Sequence, residues 1–350
     1  MKKLRIGYQP YSADLSHPGD RRRVVFWAKH RGHSIITDLS EPVDVILLSE
    51  RADFSAFPKK VKGVPIIFDL VDAYLTRESL ISDWLRGTSK VLTGQLSGRP
   101  KPFTSFVEDL CARASAVICS SPEQRETIVP FSKNVHVILD SHDELPMIAF
   151  GGGNAKKERR ILWEGMPATL SGLRQAQSAL IHIQNTIDLH LNVVTDEKYS
   201  RLLGKYFQAP TSSLLRTNLG VMFNHSTIAP WSTENLISTA KVSDAAIIPI
   251  TLSSPLQNLK PENRLLIMWR LGLPCLTSPS PSYIRVSAIA HSDTICTTEV
   301  EWISKLVRLF ENRDEAESIV KRGQAYVNEF HNSDILLEKW DQAFNSVTAL

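Results

Sequence analysis

Short apolar runs alternate with amphipathic stretches along the first half of the chain. Residues 4–8, 35–38, 43–49, 64–70, 116–120 and 135–139 are apolar on successive positions, which predicts strands buried on both faces. Between them, 21–30 (Val24, Val25 and Trp27 on its apolar side), 79–96 and 103–114 carry helical spacing. Such strands, separated by helices, predict a parallel sheet covered on both sides. The pattern breaks at Gly151-Gly152-Gly153-Asn154-Ala155-Lys156-Lys157-Glu158, where three glycines followed by charge read as a linker. A phosphate-cradling loop is the alternative, but no Gly-Lys-Ser/Thr follows. The alternation then restarts. Strands are expected at 160–163, 189–195, 219–224, 245–250, 274–278 and 294–297, with helices at 173–184, 233–242, 261–271 and 300–310. Two long helices, 315–330 and 334–347, end the chain with no strand after them. The expected fold class is α/β: two Rossmann-like, doubly wound domains facing a central cleft, with the last helix crossing back. The expected division is 1–150, 151–332 and a closing helix at 333–350 that packs on the N-terminal domain.

Ligands of open parallel sheets bind at the loops leaving the strands' carboxyl ends, so the residues after each strand are the informative ones. After the first strand, Ser16-His17-Pro18-Gly19-Asp20-Arg21-Arg22-Arg23 brings three cations into the first turn of a helix, where the helix's own partial charge is positive. Either this is a solvated face capped by Asp20, or Arg21 or a neighbour faces an anionic ligand. No Gly-x-Gly-x-x-Gly is present, which argues against a nicotinamide dinucleotide site. After the fourth strand, Phe68-Asp69-Leu70-Val71-Asp72 offers Asp69 and Asp72 as general bases or hydroxyl ligands, with helix capping the plainer role for Asp72.

In the second half, Trp163-Glu164-Gly165 ends a strand on a glycine that permits close backbone approach, and Trp163 is equally suited to the core. Thr195 closes the next strand. Trp231 and Ser232 precede the helix 233–242, Trp231 serving either as an aromatic wall for a base or as core packing. The densest signal is Leu259-Lys260-Pro261-Glu262-Asn263-Arg264-Leu265-Leu266, running to Gly272-Leu273-Pro274. Lys260, Asn263 and Arg264 near a helix start suit a diphosphate, which would meet cations, backbone N–H groups and the helix dipole together. An amphipathic surface helix is the plainer reading.

Composition narrows the classes. The chain has 350 residues, 43% hydrophobic and 22% charged, enough apolar material for two cores. The 40 basic and 37 acidic residues leave a net charge of +3, too small to imply nucleic-acid binding by bulk electrostatics. The excess is uneven: residues 1–101 hold 17 basic and 11 acidic side chains. That suits an anionic or lipid-linked acceptor and peripheral contact with a membrane, or simply a solvated face. Cys111, Cys119, Cys275 and Cys296 lack metal-ligand spacing and read as buried free thiols of a reducing compartment. No secretory leader or membrane span is expected, so the expected location is cytoplasmic.

Ala114-Ser115-Ala116-Val117-Ile118-Cys119-Ser120-Ser121, the strand 243–249, and Asn263-Arg264-Leu265-Leu266 running to Gly272-Leu273-Pro274 resemble the GT-B glycosyltransferases, in particular the large retaining group known as glycosyl transferases group 1. The loop around Pro18–Arg23 resembles that family's acceptor-side loop, and the last helix, with Lys339-Trp340, its closing helix. The resemblance implies transfer of a sugar from a nucleotide-diphosphate sugar to an acceptor hydroxyl, in surface polysaccharide or glycoconjugate assembly. With the acceptor on the N-terminal side, Asp72, Asp69 and Arg21, singled out by their places after the strands, are the candidates for catalysis. Trp163, Glu164, Gly165, Thr195, Trp231, Ser232, Lys260, Asn263 and Arg264 fall to the donor. No cofactor or metal is implied, the nucleotide sugar being a co-substrate, and the partners are that donor and a glycan or lipid-linked acceptor. The chain departs from the family at two positions. Leu259 and Ile267 stand where many relatives carry glutamates, and Glu262 is the nearest carboxylate that could substitute. A non-catalytic nucleotide-sugar-binding protein and a sugar-nucleotide epimerase therefore stay open beside the transferase.

Overall fold

The computed structural model describes residues 3–53, 55, 63–76, 79–151, 158–200 and 208–348. It divides into two compact units: 1–142 with 254–261 and 331–350, and 143–253 with 262–330. The chain thus passes from the first unit to the second at His142–Asp143, upstream of the glycine run. Of the expected linker, 152–157 lie outside the described residues.

The first unit is built on a six-stranded parallel sheet: β1 (Arg5–Gln9), β2 (Ser34–Ile36), β3 (Val45–Ser49), β4 (Ile66–Leu70), β5 (Ala116–Cys119) and β6 (Val135–Val137), in the order β2-β1-β3-β4-β5-β6. The central strands β3, β4 and β5 are buried at every position, as their unbroken apolar runs require when helices cover both faces. On one face, Trp27 of the helix Val24–Arg31 packs against Trp340 and Phe344 of the helix Ser333–Thr348, with ring centroids 6.0 and 4.2 Å away. The indole N–H of Trp27 donates to Asp341 (2.7 Å), so the last helix is held by both packing and a hydrogen bond.

The continuous helix expected over 21–30 is broken. A four-residue turn, Pro18–Arg21, is followed by an irregular Arg23 (φ −117°, ψ −115°), and the helix proper starts at Val24. The cause lies in the core. Arg23 turns inward, fully buried, and its guanidinium donates to both Asp69 oxygens (2.6 and 2.8 Å), to Asp140 (2.9 Å) and to the Ile138 carbonyl. Asp20 does not cap this turn; His17 does. Asp20 is buried and accepts hydrogen bonds from the Tyr8 hydroxyl, the Tyr11 and Ser12 backbone N–H groups and the Ser12 hydroxyl, which fixes the loop after β1.

The second unit carries a five-stranded parallel sheet: β7 (Glu158–Glu164), β8 (Asp188–Thr195), β11 (Ser226–Pro230), β12 (Ala245–Ile248) and β13 (Cys275–Thr277), ordered β11-β8-β7-β12-β13. A small antiparallel hairpin, β9 (Lys198–Ser200) with β10 (Gln208–Pro210), follows β8. The strand expected at 219–224 is not one. The helix Thr211–Leu219 runs into a 3-10 segment, Gly220–His225, and the strand begins only at Ser226. Leu215, Leu219 and Met222 are buried at helical spacing and enter the core there, so the apolar run belongs to helix packing. The stretch expected at 294–297 contributes only a single parallel bridge, Thr277 to Ile295. All four cysteines are free and buried. Burial pushes Cys111, Cys119 and Cys296 up to about 12 and raises Cys275 as well, so none is a ready nucleophile.

Candidate functional site

The strand order of the second unit reverses between β7 and β12, which is where an open α/β sheet leaves a crevice beyond its strand ends. β7 ends there in Glu164, followed by Gly165. A Cβ on Gly165 would lie 2.9 Å from the Thr169 hydroxyl, 3.1 Å from the Trp163 ring and 3.2 Å from the Arg264 guanidinium carbon, so this corner has no room for a side chain. The 3-10 segment Pro167–Gln175 crosses above it. At Gly172 a Cβ would meet the Pro249 carbonyl oxygen at 2.2 Å, so the segment's backbone lies directly on the loop leaving β12.

Arg264, in the helix Asn263–Arg270, points into this corner. Its guanidinium stands 4.9 Å over the Trp163 ring and 3.6 Å from Glu164 Oε2. That distance gives attraction without a directed hydrogen bond, and Arg264 Nε and Nη2 are buried with no partner. Glu164 Oε1 accepts from the Trp231 indole N–H (2.9 Å), while Oε2 has no hydrogen-bond partner. The Asn263 side-chain oxygen and the Thr195 and Thr277 hydroxyls are also buried without partners. Two donors of a cation, a carboxylate oxygen, an amide oxygen and two hydroxyls thus stand unsatisfied in one unit, most of them at strand or helix ends. Buried polar groups are ordinarily paired, so the unsatisfied atoms of Arg264 and Glu164, which stand together at β7's end, mark this corner as a candidate for a polar ligand.

The first unit reverses its strand order between β1 and β3. The residues there are Tyr11 and His17 after β1 and Glu50 and Arg51 after β3. Tyr11 stacks on His17 (4.9 Å, 5° between planes), lies under the Arg51 guanidinium (5.7 Å), and has a buried hydroxyl with no partner. Burial and Arg51 hold the His17 imidazole below its usual range. Glu50 accepts from the Asp72 backbone N–H (3.0 Å). Burial, then repulsion from Asp72, pushes its carboxyl up to about 8. Asp72 accepts from the Tyr74 hydroxyl (3.3 Å) and pairs with the Lys260 ammonium (3.4 Å). Among the described residues, no cluster of three or more His, Cys, Asp or Glu could hold a metal ion.

No protein-family model matches the chain, and no curated protein does. Solved structures do. A glycosyltransferase from Rickettsia africae superposes with a TM-score of 0.62 at 11% identity, covering 99% of each chain. Anabaena HepE in complex with UDP-glucose gives 0.60 at 13%, over 99% of this chain and 100% of its own. TarM gives 0.58 at 11%, with 86% of this chain matched; the chain spans about half of TarM's length, 54%. The fold is GT-B.

Within the GT-B frame, the residues singled out from the sequence fall into distinct environments. Glu164, Gly165, Thr195, Trp231, Asn263 and Arg264 belong to the second unit, and all but Thr195 stand in or beside the Arg264 corner. Trp163 is wholly buried in the second core, where it forms a floor beneath Arg264. Ser232 caps the helix Thr233–Val242, its hydroxyl accepting from the Asn235 N–H (3.0 Å). Lys260 does not join Arg264 in the second unit; it belongs to the first and pairs with Asp72. Asp69 has both oxygens engaged by Arg23 and is buried, and Arg21 donates to the Ser16 carbonyl (2.9 Å) from the short turn. Glu262 is buried and pairs with Arg285 (3.1 Å). Glu50 and Tyr11 fall in no sequence motif, whereas Arg23, one of the three cations after the first strand, turns into the core. The one sequence cue for Tyr11 and Glu50 is their place just after the first and third strands respectively.

Proposed function

We propose that the protein is a glycosyltransferase that moves a sugar from a nucleotide-diphosphate sugar to an acceptor hydroxyl. The observation that carries the reading is the pair of buried Arg264 N–H groups that lack hydrogen-bond partners at the switch point of the second sheet. A diphosphate oxygen would satisfy both donors through charge-assisted bonds. Glu164 Oε2 and the Asn263 oxygen would accept from ribose or sugar hydroxyls. In the reaction the bond from the anomeric carbon to the diphosphate breaks, one to the acceptor oxygen forms, and the acceptor proton leaves. Arg264 would offset the charge that develops on the departing diphosphate. HepE, a protein of the same fold, has been captured with UDP-glucose, which makes UDP-glucose the first donor to try.

On the acceptor side, Asp72 is the carboxylate we assign to the hydroxyl, as base or ligand. It keeps exposed surface, whereas Asp69 is closed off by Arg23. Arg21 is left with a supporting role in the loop after β1. The acceptor is a glycan or lipid-linked hydroxyl in surface polysaccharide or glycoconjugate assembly, reached from the cytoplasmic side.

The absence of glutamate at Leu259 and Ile267 favours one second reading, a protein that binds the nucleotide sugar without turning it over. Two measurements separate them. Release of nucleoside diphosphate when donor and a panel of acceptor glycans are supplied together supports transfer. Asp72→Asn should then lower turnover at least tenfold while leaving donor affinity within twofold. Donor binding with no release under any acceptor would establish the second reading, and full turnover by Asp72→Asn would remove Asp72 from the chemistry.

A further inference from the structure

The first unit holds a pocket of about 110 Å³ beside the loop that leaves β4. Tyr74 and Thr76 of that loop line it, with Ser82, Asp83 and Arg86 of the helix Leu80–Leu92 and Thr104 of the helix Phe103–Arg113. Leu256, from the segment 254–261 that returns to this unit, completes the wall. Close packing builds the hollow. At Gly87 a Cβ would sit 1.9 Å from the Lys101 carbonyl oxygen, so the helix Leu80–Leu92 lies directly on the chain that enters the next helix. Asp83 is buried there and accepts from the Thr104 N–H (3.0 Å) and hydroxyl (2.6 Å). The other hydroxyl protons of the lining are committed as well. Thr76 donates to the Ala73 carbonyl (2.5 Å), Ser82 to the Ser79 carbonyl (3.0 Å) and Tyr74 to Asp72 (3.3 Å). Each of these oxygens is left with lone pairs only, and the Asp83 carboxylate keeps acceptor sites beyond the two that Thr104 fills. Among the lining side chains, the one with hydrogens to give is Arg86. It makes no hydrogen bond or ion pair with the described residues, and its guanidinium is set over the rings of Tyr74 (5.3 Å) and Phe103 (5.9 Å). The pocket thus offers several acceptors, a single forked donor and one apolar wall.

That balance selects the ligand. A phosphate or carboxylate would bring acceptors to a wall of acceptors and a buried carboxylate, with Arg86 alone to meet it. An ammonium would be repelled by Arg86. A neutral polyol satisfies both sides: its hydroxyls donate to the lone pairs of Thr76, Ser82 and Thr104 and accept from Arg86, while its C–H face rests on Leu256. We propose that this pocket binds the vicinal hydroxyls of a neutral sugar in the acceptor, next to the sugar that reacts. At ~30 Å³ per water, the volume equals about four waters, which admits one edge of a pyranose ring and leaves the rest of a glycan outside. Tyr74 lines the pocket and donates to Asp72, the carboxylate assigned to the reacting hydroxyl, so one tyrosine separates the two positions. The acceptor therefore carries at least two sugar units. This last step rests on the transferase reading, whereas sugar binding in the pocket does not.

The test is a methyl NMR titration of the full chain, labelled at threonine and leucine, with no nucleotide present. The probes are the methyl pyranosides of glucose, galactose and mannose, with inorganic phosphate as the anionic contrast. At least one glycoside should shift the Thr76, Thr104 and Leu256 methyls, and phosphate should shift none of them. Arg86→Met keeps a stem over the rings and removes the donors, so it should weaken that binding at least fivefold while melting as the wild type does. Ser82→Phe, at an exposed position, places a ring in the pocket and should abolish binding. No shift with any glycoside, shifts with phosphate, or wild-type affinity in both variants overturns the proposal. Release of nucleoside diphosphate separates this from the transferase reading. Sugar binding here with no release under any acceptor would overturn transfer and leave the pocket a sugar site. Where release occurs, Arg86→Met should raise KM for a disaccharide acceptor at least fivefold with kcat within twofold, and an unchanged KM would overturn the placing of the second sugar.

Discussion

At the scale of single residues, the chemistry is decided by which charges are already paired. Arg23, Asp69 and Asp140 form a buried ionic group whose hydrogen bonds are made, and such a group stays put because removing one member strands the others. Arg264 and Glu164 are the contrast: 3.6 Å apart, with hydrogen-bonding capacity left over. Glu50 lies between these cases. Its carboxyl accepts a backbone bond, yet burial and Asp72 raise it to about 8 from 4.5. A carboxyl that binds its proton more tightly when folded favours the folded state while protonated. That contribution is fully present below 4.5 and is lost as pH rises to about 8. Glu50→Gln keeps the acceptor for the Asp72 N–H and cannot ionise. Its melting temperature relative to the wild type should therefore rise between pH 4.5 and pH 8. A difference that is flat or falls with pH would show that Glu50 ionises freely in the fold.

At the scale of elements, close approach of backbone sets the site. The 3-10 segment Pro167–Gln175 rests on Pro249 only because residue 172 is glycine. Gly172→Ala should cost about 1–3 kcal/mol of stability and move the segment off the corner, weakening UDP binding with it, as read by thermal melting and calorimetry. Unchanged melting would mean that the segment shifts freely.

The elements also show what a sequence can carry. β3, Val45–Ser49, was legible because a strand buried on both faces is apolar at every position. β11, Ser226–Pro230, was missed because it is an edge strand with no fully buried position, while the neighbouring apolar run that drew the strand assignment packs as helix. Lys260 and Arg264 stand four apart and read as one cluster. Whether a side chain turns toward Asp72 or toward Glu164 is decided by tertiary packing, which spacing does not encode. The inward turn of Arg23 was hidden for the same reason, since its partners Asp69 and Asp140 are 46 and 117 residues away.

At the scale of the whole molecule, each unit is assembled from separated pieces of chain, which has consequences for folding. The first unit needs 331–350, because Trp340 and Phe344 cover Trp27. Losing such aromatic packing costs about 3–5 kcal/mol per ring, a large share of the stability of an ordinary domain. A fragment ending at His142 is expected to show no sharp thermal transition by circular dichroism. A transition as steep as that of the full chain would mean that the last helix is dispensable. The second unit is likewise interrupted by 254–261, yet Glu164 at the end of β7 and Arg264 in the helix Asn263–Arg270 both belong to it.

The most direct measurement is a calorimetric titration of the full chain with UDP, run beside Arg264→Ala. Wild-type binding is expected, with affinity falling by about 1–3 kcal/mol, roughly five- to 150-fold, in the variant, and with no loss of melting temperature beyond the ligand's own effect. Failure of the wild type to bind UDP or any other nucleoside diphosphate, or equal affinity in the two proteins, would contradict the assignment of the Arg264 corner to the donor.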